Sequence, residues 1–564
     1  MLNLPRIVRA VLAGLLIATL PLPVSAANAP ARAQHGMVVS ADLHASRVGV
    51  AILEEGGNAI DAAVAVAFAL AVTHPTAGNI GGGGFIIHQP RGADAVAYDF
   101  RETAPAAAHP DMWLEAGKYS ARLHHHSHKS VGVPGTVAGL HMAWQDAGSL
   151  PWARLIAPAI RLARDGFKLS NGLARSLEEE LPRMQPYPAS IAAFSRDGVP
   201  YATGDLFRQP DLAASLKRIA QQGPDGFYKG RTADLIVAEM QAGGGLITHQ
   251  DLADYRPRRR EPLVGEYRGF EIVSMPPPSS GGVTLVQMLN VLEGYDMAAS
   301  GFGSAANLHR MAEAMRRAYA DRARFLGDPD FVEMPLARLT SDAHAEKQRR
   351  SINPDRASVS SPDNFDWPVE SSETTHFSVV DKDRNAVSLT YTLEYGYGSA
   401  IVVPGGGFLL NNEMGDFNAG VGLTDSNGLI GTSANLAEPG KRMLSSMTPT
   451  IVNRGDELFM VTGSPGGRTI INTVLQTIVN VIDYGMNAQV AVDAGRVHHQ
   501  WLPDRLSYEK YGFSPDTLAL LRSMGHELVE DGIQGVAEVI VVAEDGWLEG
   551  GVDLRVPDGA AAGY

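Results

Sequence analysis

The sequence predicts a mixed α/β protein in which stacked β-sheets are covered by helices. Residues 45–55 and 58–72 are rich in Ala, Val and Leu, and a Gly-Gly pair separates them, so we expect two consecutive helices, the second one buried. Two β-branched runs around a polar turn, 375–380 and 386–393, predict a β-hairpin. Helices dominate before this hairpin and strand-like runs dominate after it, an order that favours layers of sheet and helix.

The later elements follow the same pattern. Strand-like runs occur at 457–462, 537–543 and 547–554, and one helical run lies among them at 469–484. Earlier in the chain, four glycines at 81–84 lead into a short strand at 85–87, and the proline-rich segment 275–282 precedes a helical run at 284–292. Residues 351–370 are polar and contain three prolines, which predicts an exposed, mobile loop just before the hairpin.

Composition limits the possible functions. A chain of 564 residues is long enough for one large layered domain or two closely packed ones. The net charge of −15 argues against a nucleic-acid surface, which needs clustered Lys and Arg. The absence of cysteine excludes a thiol nucleophile, a disulfide framework and a thiolate metal site.

The N-terminus has the pattern of a secretory signal. Arg6 and Arg9 precede an apolar run, 10–22, and small residues follow up to Ala26, where we expect cleavage. An uncleaved membrane anchor is the alternative, but the run is shorter than the ~20 apolar residues that a span needs, and Pro21 interrupts it. Residues 1–26 are therefore predicted to be a signal peptide, and the mature protein to be periplasmic or secreted without a membrane span.

A cluster of histidines, His124 to His126 with His128, raises the question of a metal site. Consecutive residues point in different directions, and no Glu or second spaced His completes a ligand set. We expect a solvated loop here and no metal.

A search for a nucleophile leaves one candidate. The esterase motif Gly-x-Ser-x-Gly, the zinc motif His-Glu-x-x-His and a phosphate loop ending in Gly-Lys-Ser/Thr are all missing. What remains is the Thr374-Thr375 pair at the junction of the polar loop and the hairpin. If the bond between Glu373 and Thr374 is broken, Thr374 gains an α-amine with a pKa of about 8 that can accept the proton of its own hydroxyl. A threonine at a strand edge with no chemistry is the alternative interpretation.

The chain resembles the γ-glutamyltranspeptidase family, also called γ-glutamyltransferase or glutathione hydrolase, over essentially its whole mature length. The resemblance rests on many spaced motifs in the same order, among them Asn79-Ile80-Gly81-Gly82-Gly83-Gly84, Asp99-Phe100-Arg101-Glu102, Thr374-Thr375-His376, Asn411-Asn412-Glu413-Met414, Ser445-Ser446-Met447, Gly463-Ser464-Pro465-Gly466-Gly467 and the terminal Asp558-Gly559-Ala560-Ala561-Ala562-Gly563-Tyr564.

The resemblance implies a four-layer αββα sandwich of the N-terminal nucleophile hydrolase type. It further implies a precursor that cuts itself between Glu373 and Thr374 into a large subunit, 27–373, and a small subunit, 374–564, that stay associated. The implied substrates are γ-glutamyl amides such as glutathione, with the glutamyl group passed to water or to an amino acid or peptide amine. No cofactor is implied.

The family's motifs also suggest site residues. Thr374 is the nucleophile, and Thr392 falls across from it if the hairpin loop is 382–384. The backbone N–H groups of Gly466 and Gly467 form the oxyanion hole, a place for donors that no side chain obstructs. The remaining implied residues bind the glutamyl head group: Arg101, Ser445 and Ser446 bind its α-carboxylate, and Glu413 and Asp416 its α-ammonium.

Three positions depart from the family pattern. Glu394 stands where the family usually has an asparagine that contacts the substrate amine, so we include it among the substrate-binding residues. Gly415 replaces a common aspartate, and Asn427 stands where bacterial relatives often carry an aromatic gate in the lid formed by residues 417–444.

Two rival functions stay open. One is a related amidase, such as an acylase for cephalosporin side chains that lack the α-amino group, and the other is a non-catalytic binding relative. Glu413, Asp416 and the paired serines favour an amino-acid head group over the first. The joint presence of Thr374, Thr392 and the Gly466-Gly467 pair argues against the second.

Overall fold

Two seven-stranded β-sheets form the centre of the protein. The structure is a computed structural model that describes residues 28–361, 374–420, 423 and 431–564. The signal peptide predicted for residues 1–26, together with Glu373 and Asn427, lies outside the described residues.

The first sheet, sheet I, contains the predicted hairpin at its centre, and every neighbouring pair in it is antiparallel. Its strands, in spatial order, are Ala560–Gly563, Met37–Ser40, Thr375–Val380, Ala386–Thr392, Gly83–Gln89, Val96–Asp99 and Arg258–Arg260.

The second sheet, sheet II, is also antiparallel throughout. Its strands, in spatial order, are Ala31–Ala33, Leu548–Val552, Glu538–Val542, Glu457–Gly463, Thr450–Arg454, Phe270–Ser274 and Leu263–Tyr267. Smaller sheets are built from the pairs Leu114–Glu115 with Lys118–Tyr119 and Phe167–Lys168 with Leu206–Phe207, and from Val497–His498, Leu506–Glu509 and Leu528–Asp531.

Three apolar cores show how these sheets are layered. One core joins helices of the N-terminal half to sheet I through residues such as Phe377 and Leu389. A second lies between the sheets, where Ile87 of sheet I and Ile451 of sheet II belong to the same cluster. A third joins sheet II to another group of helices. The order helix, sheet, sheet, helix is the four-layer αββα sandwich that the resemblance implied.

Helices cover both outer faces. Those packed on sheet I or lying beyond it are Leu43–Glu54, Ala59–Thr73, Ala121–His125, Thr136–Ala147, Trp152–Asp165, Asn171–Met184, Pro188–Phe194, Pro210–Gln222, Asp225–Tyr228, Gly230–Gly243 and His249–Asp254. Those associated with sheet II are Gly281–Glu293, Met297–Ser300, Ala305–Phe325, Leu336–Leu339, Asp342–Arg350, Thr469–Ile482, Ala488–Asp493 and Pro515–Ser523. Within the described ranges, no helix combines the length and apolarity that crossing a bilayer requires.

The hairpin has the predicted register. Val380 pairs with Ala386 and Thr375 with Tyr391, so residues 382–384 form the turn. The Asp381 carboxylate accepts the backbone N–H groups of Asp383 and Asn385 and thereby stabilises that turn. Extending the same register by one residue brings Thr374 level with Thr392.

Most predicted elements occur within two or three residues of their expected bounds. The buried helix is Ala59–Thr73, capped by the Asn58 side chain, and all of its residues are buried. Both sheets also take strands from the first 274 residues, more than the strand predicted at 85–87. One expectation was wrong. The histidine cluster is not a solvated loop: residues Ala121–His125 form a helix, and His124 is buried against Trp113.

Candidate active site

A small cavity at the end of the hairpin brings together most of the residues that the sequence suggested. Its lining includes these predicted residues: Arg101, Thr374, Thr392, Glu394, Asp416, Ser445, Ser446 and Gly467. Of the two other predicted residues in the described part of the chain, Glu413 contacts Arg101 and Gly466 lines an adjoining cavity next to Thr374. Residues that are up to 366 positions apart in the chain, from Arg101 to Gly467, therefore meet at one place.

Thr374 directly precedes a central strand of sheet I, Thr375–Val380, and is buried. Across the hairpin, the backbone carbonyl of Thr392 accepts a hydrogen bond from the Asn79 amide at 2.9 Å. The Asn79 side-chain oxygen in turn accepts from the backbone N–H of Gly82 at 2.9 Å. The glycine-rich segment thus holds the end of the second hairpin strand in place.

Gly466 and Gly467 form a sharp turn after the strand Glu457–Gly463. Their φ angles are +128° and +55°, a backbone region that glycine tolerates and other residues avoid. A Cβ atom on Gly466 would lie 2.4 Å from the Thr469 hydroxyl, so a side chain there would clash. The turn leads directly into the helix Thr469–Ile482 and borders both cavities at Thr374.

Arg101 is fully buried between two carboxylates. Its guanidinium forms ion pairs with Asp416 and with Glu413, the latter at 2.5 Å from Nη1 to Oε2. Burial alone would lower the pKa of Arg101, but the two carboxylates outweigh it and raise that pKa. Burial raises the pKa of Glu413 well above its usual range, although Arg101 opposes this shift.

Ser445 and Ser446 are held by the proline-rich segment. The backbone N–H of Ser445 donates to the carbonyl of Pro278 at 2.9 Å, and its carbonyl accepts from the Ser280 hydroxyl at 2.6 Å. Arg322 donates to the hydroxyls of both Ser280 and Ser446, at 2.7 and 3.0 Å. The conformation of the serine pair is therefore fixed by contacts outside the cavity.

Glu394 occupies the cavity wall in an unusual backbone conformation, with a φ of +80°. Its backbone N–H donates to the Thr392 hydroxyl at 3.0 Å, and its carboxylate accepts from the Asn412 amide. The other carboxylate oxygen lies 3.3 Å from Nδ1 of His125. Sequence reasoning missed His125, whose only signal was the histidine run that we had interpreted as a solvated loop.

A larger cavity of about 880 Å³ opens on the other side of Thr374. Thr374 and Gly466 line it together with charged residues of both signs, including Arg175, Glu179, Arg555 and Asp558. The threonine thus lies between a small polar cavity and a wide one.

A four-layer αββα fold with a threonine at the start of a central strand is the architecture of the N-terminal nucleophile hydrolases. Comparisons with known proteins agree with this class. The profile of the family described as gamma-glutamyltranspeptidase matches residues 45–564. The glutathione hydrolase proenzyme of Escherichia coli strain K12 is 50% identical over 540 residues, covering 95% of this chain and 93% of that protein.

Two solved structures are also similar. The cephalosporin acylase from Bacillus halodurans has a TM-score of 0.84 at 27% identity and covers 97% of this chain and 98% of its own. The γ-glutamyltranspeptidase of Helicobacter pylori has a TM-score of 0.56 at 44% identity and covers 60% of this chain and 95% of its own. The chain belongs to the γ-glutamyltranspeptidase family.

Proposed function

We propose that the protein is a self-cleaving γ-glutamyltransferase and glutathione hydrolase with Thr374 as its nucleophile. Membership of the family and the 50% identity to a glutathione hydrolase proenzyme support this function. The observation that carries the residue assignment is the cavity in which Thr374 meets Arg101, Asp416 and the serine pair.

The reaction needs only groups of this chain. Cleavage between Glu373 and Thr374 frees an α-amine, which takes the proton of the Thr374 hydroxyl as the oxygen attacks the γ-carbonyl. The backbone N–H groups of Gly466 and Gly467 stabilise the negative oxygen of the tetrahedral intermediate, and one such donor is typically worth about 3 kcal/mol. The proton then passes to the leaving amine, and water or an acceptor amine resolves the glutamyl ester by the same steps.

The cavity residues bind the glutamyl head group in this proposal. The cavity holds about 20 Å³, the space of roughly one water molecule, so the head group must displace contacts that the side chains make with one another. Arg101 exchanges part of its contact with Asp416 for the α-carboxylate, and Asp416 turns to the α-ammonium. The wide cavity on the other side of Thr374 has room for the leaving group and the acceptor.

We further propose that the two fragments, 27–373 and 374–564, remain together after cleavage. The hairpin that follows Thr374 is paired on one side with Met37–Ser40 and on the other with Gly83–Gln89. Separating the fragments would break these hydrogen-bonded ladders and expose the cores on both faces of sheet I. The N-terminal pattern supports export of the precursor, with periplasmic or extracellular activity.

An acylase is the second candidate, favoured by the TM-score of 0.84 to a cephalosporin acylase. Its substrates would lack the α-amino group, so Asp416 and Glu394 would have no substrate ammonium to bind. The deciding experiment compares the rates on γ-glutamyl-p-nitroanilide and glutaryl-p-nitroanilide, with and without a dipeptide acceptor. A faster glutaryl reaction contradicts the proposal, and so does a single band on a denaturing gel of the active protein.

A further inference from the structure

A histidine that belongs to no recognised motif of the site, His125, lies next to the Glu394 carboxylate in the cavity wall. We propose that His125 is a positioning residue: it keeps the Glu394 carboxylate beside Asp416, where the two carboxylates bind the ammonium group of the γ-glutamyl donor. This inference rests on the proposed function and assigns a new residue to substrate selection.

Both carboxylate oxygens of Glu394 have a defined neighbour. Oε1 lies 3.3 Å from Nδ1 of His125, and Oε2 accepts from the side-chain amide of Asn412. The orientation of that amide is fixed, because its oxygen accepts the backbone N–H of Tyr395 at 3.1 Å. Glu394 is only 3% exposed, so its charge has little solvent to stabilise it and depends on these neighbours.

The position of the His125 ring is also defined. The ring stacks on Tyr395 with the centroids 5.5 Å apart and an interplanar angle of 19°. His125 is the last residue of the helix Ala121–His125, and His124 anchors that helix in the core through its contacts with Trp113 and Tyr119. The ring is therefore placed against Glu394 by packing on two sides.

Gly415 provides the space for this pair. A Cβ atom at Gly415 would lie 2.4 Å from Nδ1 of His125 and 2.7 and 2.8 Å from the two carboxylate oxygens of Glu394. A side chain at position 415 is incompatible with the observed pair unless one partner moves. Glu394 and Gly415 were noted as separate departures in the sequence, but the structure links them. The carboxylate enters the cavity from residue 394, and the absence of a side chain at residue 415 leaves room for it.

Among the three consecutive histidines, His125 is the one that favours the charged form. Burial lowers the pKa of His124 and of His126. Burial opposes protonation of His125 as well, but the carboxylates of Glu394 and Asp416 outweigh it and raise the pKa of His125 above its usual value of 6.5. Three titratable groups face this ring from other segments: Glu394, Tyr395 and Asp416. His124 and His126 lie beside it in the chain. The positive charge of Arg183 lowers the pKa of His126.

This charge has a consequence for substrate binding. With His125 protonated, its positive charge balances Glu394 in a cavity that also contains Asp416. Once His125 loses its proton, Glu394 loses this balancing charge while Asp416 keeps its ion pair with Arg101, so the Glu394 carboxylate is less stable beside Asp416 and the geometry that binds the donor ammonium is weakened. We expect KM for the donor to rise as the pH rises through the pKa of His125. The pH dependence of kcat should instead reflect the protonation state of the Thr374 α-amine.

The experiment measures kcat and KM for γ-glutamyl-p-nitroanilide between pH 5.5 and 9 for the full processed protein and for His125→Gln. We expect KM of the variant to be about tenfold higher at the acidic end, since it lacks one partner of a buried charge pair. The difference should shrink towards the alkaline end, where the unmodified protein has lost the same charge. His126→Gln is the matched control, because it removes a neighbouring histidine that has no ion pair with Glu394, and it should keep the KM profile unchanged.

Two further measurements separate the possible results. In a Glu394→Gln background, His125→Gln should raise KM no further, because the partner is already gone. If His125→Gln fails to fold, Glu394→Gln decides, because its KM profile should lack the ionisation above pH 6.5 that we expect from the His125–Glu394 pair in the unmodified protein. A pH-independent KM, an equal effect of His126→Gln, or additive effects of His125→Gln and Glu394→Gln would overturn the inference. Absence of any γ-glutamyl hydrolysis by the unmodified protein would instead overturn the proposed function.

Discussion

Thr374 and Thr392 meet at the open end of one β-hairpin, one residue beyond the last pair of its ladder, Thr375 with Tyr391. The two hydroxyl-bearing residues come from the same supersecondary unit, eighteen positions apart, so a local turn of defined length determines their relative position. The proposed nucleophile is therefore placed by the central hairpin of sheet I, which is paired with a neighbouring strand on each side.

The role of Thr392 is tested by its removal. Thr392→Ala should lower kcat about tenfold to a hundredfold, because a hydroxyl beside the nucleophile stabilises the transition state and hardly contacts the head group. KM should change less than about twofold on the same grounds. Thr392→Ser keeps the hydroxyl and serves as the matched control in steady-state assays. A large change in KM with unchanged kcat would place Thr392 in substrate binding.

Self-cleavage tests the assignment of Thr374. Thr374→Ala lacks the attacking hydroxyl and should remain one full-length chain on a denaturing gel, whereas Thr374→Ser should still be cut. Thr375→Ala is the control, because Thr375 is the adjacent hydroxyl on the same strand. N-terminal sequencing of the small fragment should begin at Thr374, and a start at Thr375 would show that the neighbour is the nucleophile.

The sequence predicted those parts of the site that depend on local rules. The hairpin register follows from turn length and strand alternation, and the turn at Gly466 and Gly467 from residue type. The contact between His125 and Glu394 joins residues 269 positions apart and depends on the tertiary packing of a short helix. Periodicity cannot predict such a contact, and a run of histidines with no ligand spacing gave no reason to place one of them at the site.

Arg101 gives a second example of this limit. The family resemblance suggested a clamp for the substrate carboxylate, and the structure adds that the guanidinium is already held by Glu413 and Asp416. Only the fold reveals that Arg101, proposed to bind the substrate carboxylate, and Asp416, proposed to bind the substrate ammonium, form an ion pair with each other before substrate binds.

Replacing Arg101 by lysine tests that arrangement. Arg101→Lys keeps one positive charge but loses the planar fork that contacts two carboxylates at once. KM for γ-glutamyl-p-nitroanilide should rise about tenfold or more, while the fraction of self-cleaved protein on a gel stays the same. Arg154→Lys, at an exposed arginine that lines neither cavity at Thr374, is the control. An unchanged KM in Arg101→Lys would remove the carboxylate clamp from the mechanism.

The space beside Gly415 predicts a compensating pair of substitutions. Gly415→Asp alone should raise KM about tenfold or more, because the new side chain occupies the position of the His125–Glu394 contact. Glu394→Asn shortens the partner and frees that space. The double variant should therefore recover a KM closer to that of the unmodified protein than Gly415→Asp does, and steady-state kinetics on the three variants measure the coupling. Strictly additive effects would show that the two positions act independently.

The last prediction concerns Glu102, whose carboxyl group is completely buried next to Arg101. Burial raises its pKa from 4.5 to about 8, even though the positive charge of Arg101 lowers it in part. In the unfolded chain Glu102 ionises near its ordinary value, so between the two pKa values the folded state binds the proton and the unfolded state does not. The contribution of Glu102 to the free energy of unfolding is therefore fully present below about pH 4.5 and decreases as the pH rises towards 8.

Glu102→Gln removes that dependence while it keeps the shape of the side chain. The variant should have a Tm at least about 2 °C above that of the unmodified protein at pH 8.5, and the two values should converge at pH 5. Glu115→Gln, at an exposed glutamate nearby in the sequence, is the control and should leave the pH dependence of Tm unchanged. If Glu102→Gln instead lowers Tm at pH 8.5 by as much as at pH 5, the carboxylate is charged in the folded protein and its pairing with Arg101 outweighs the cost of burial.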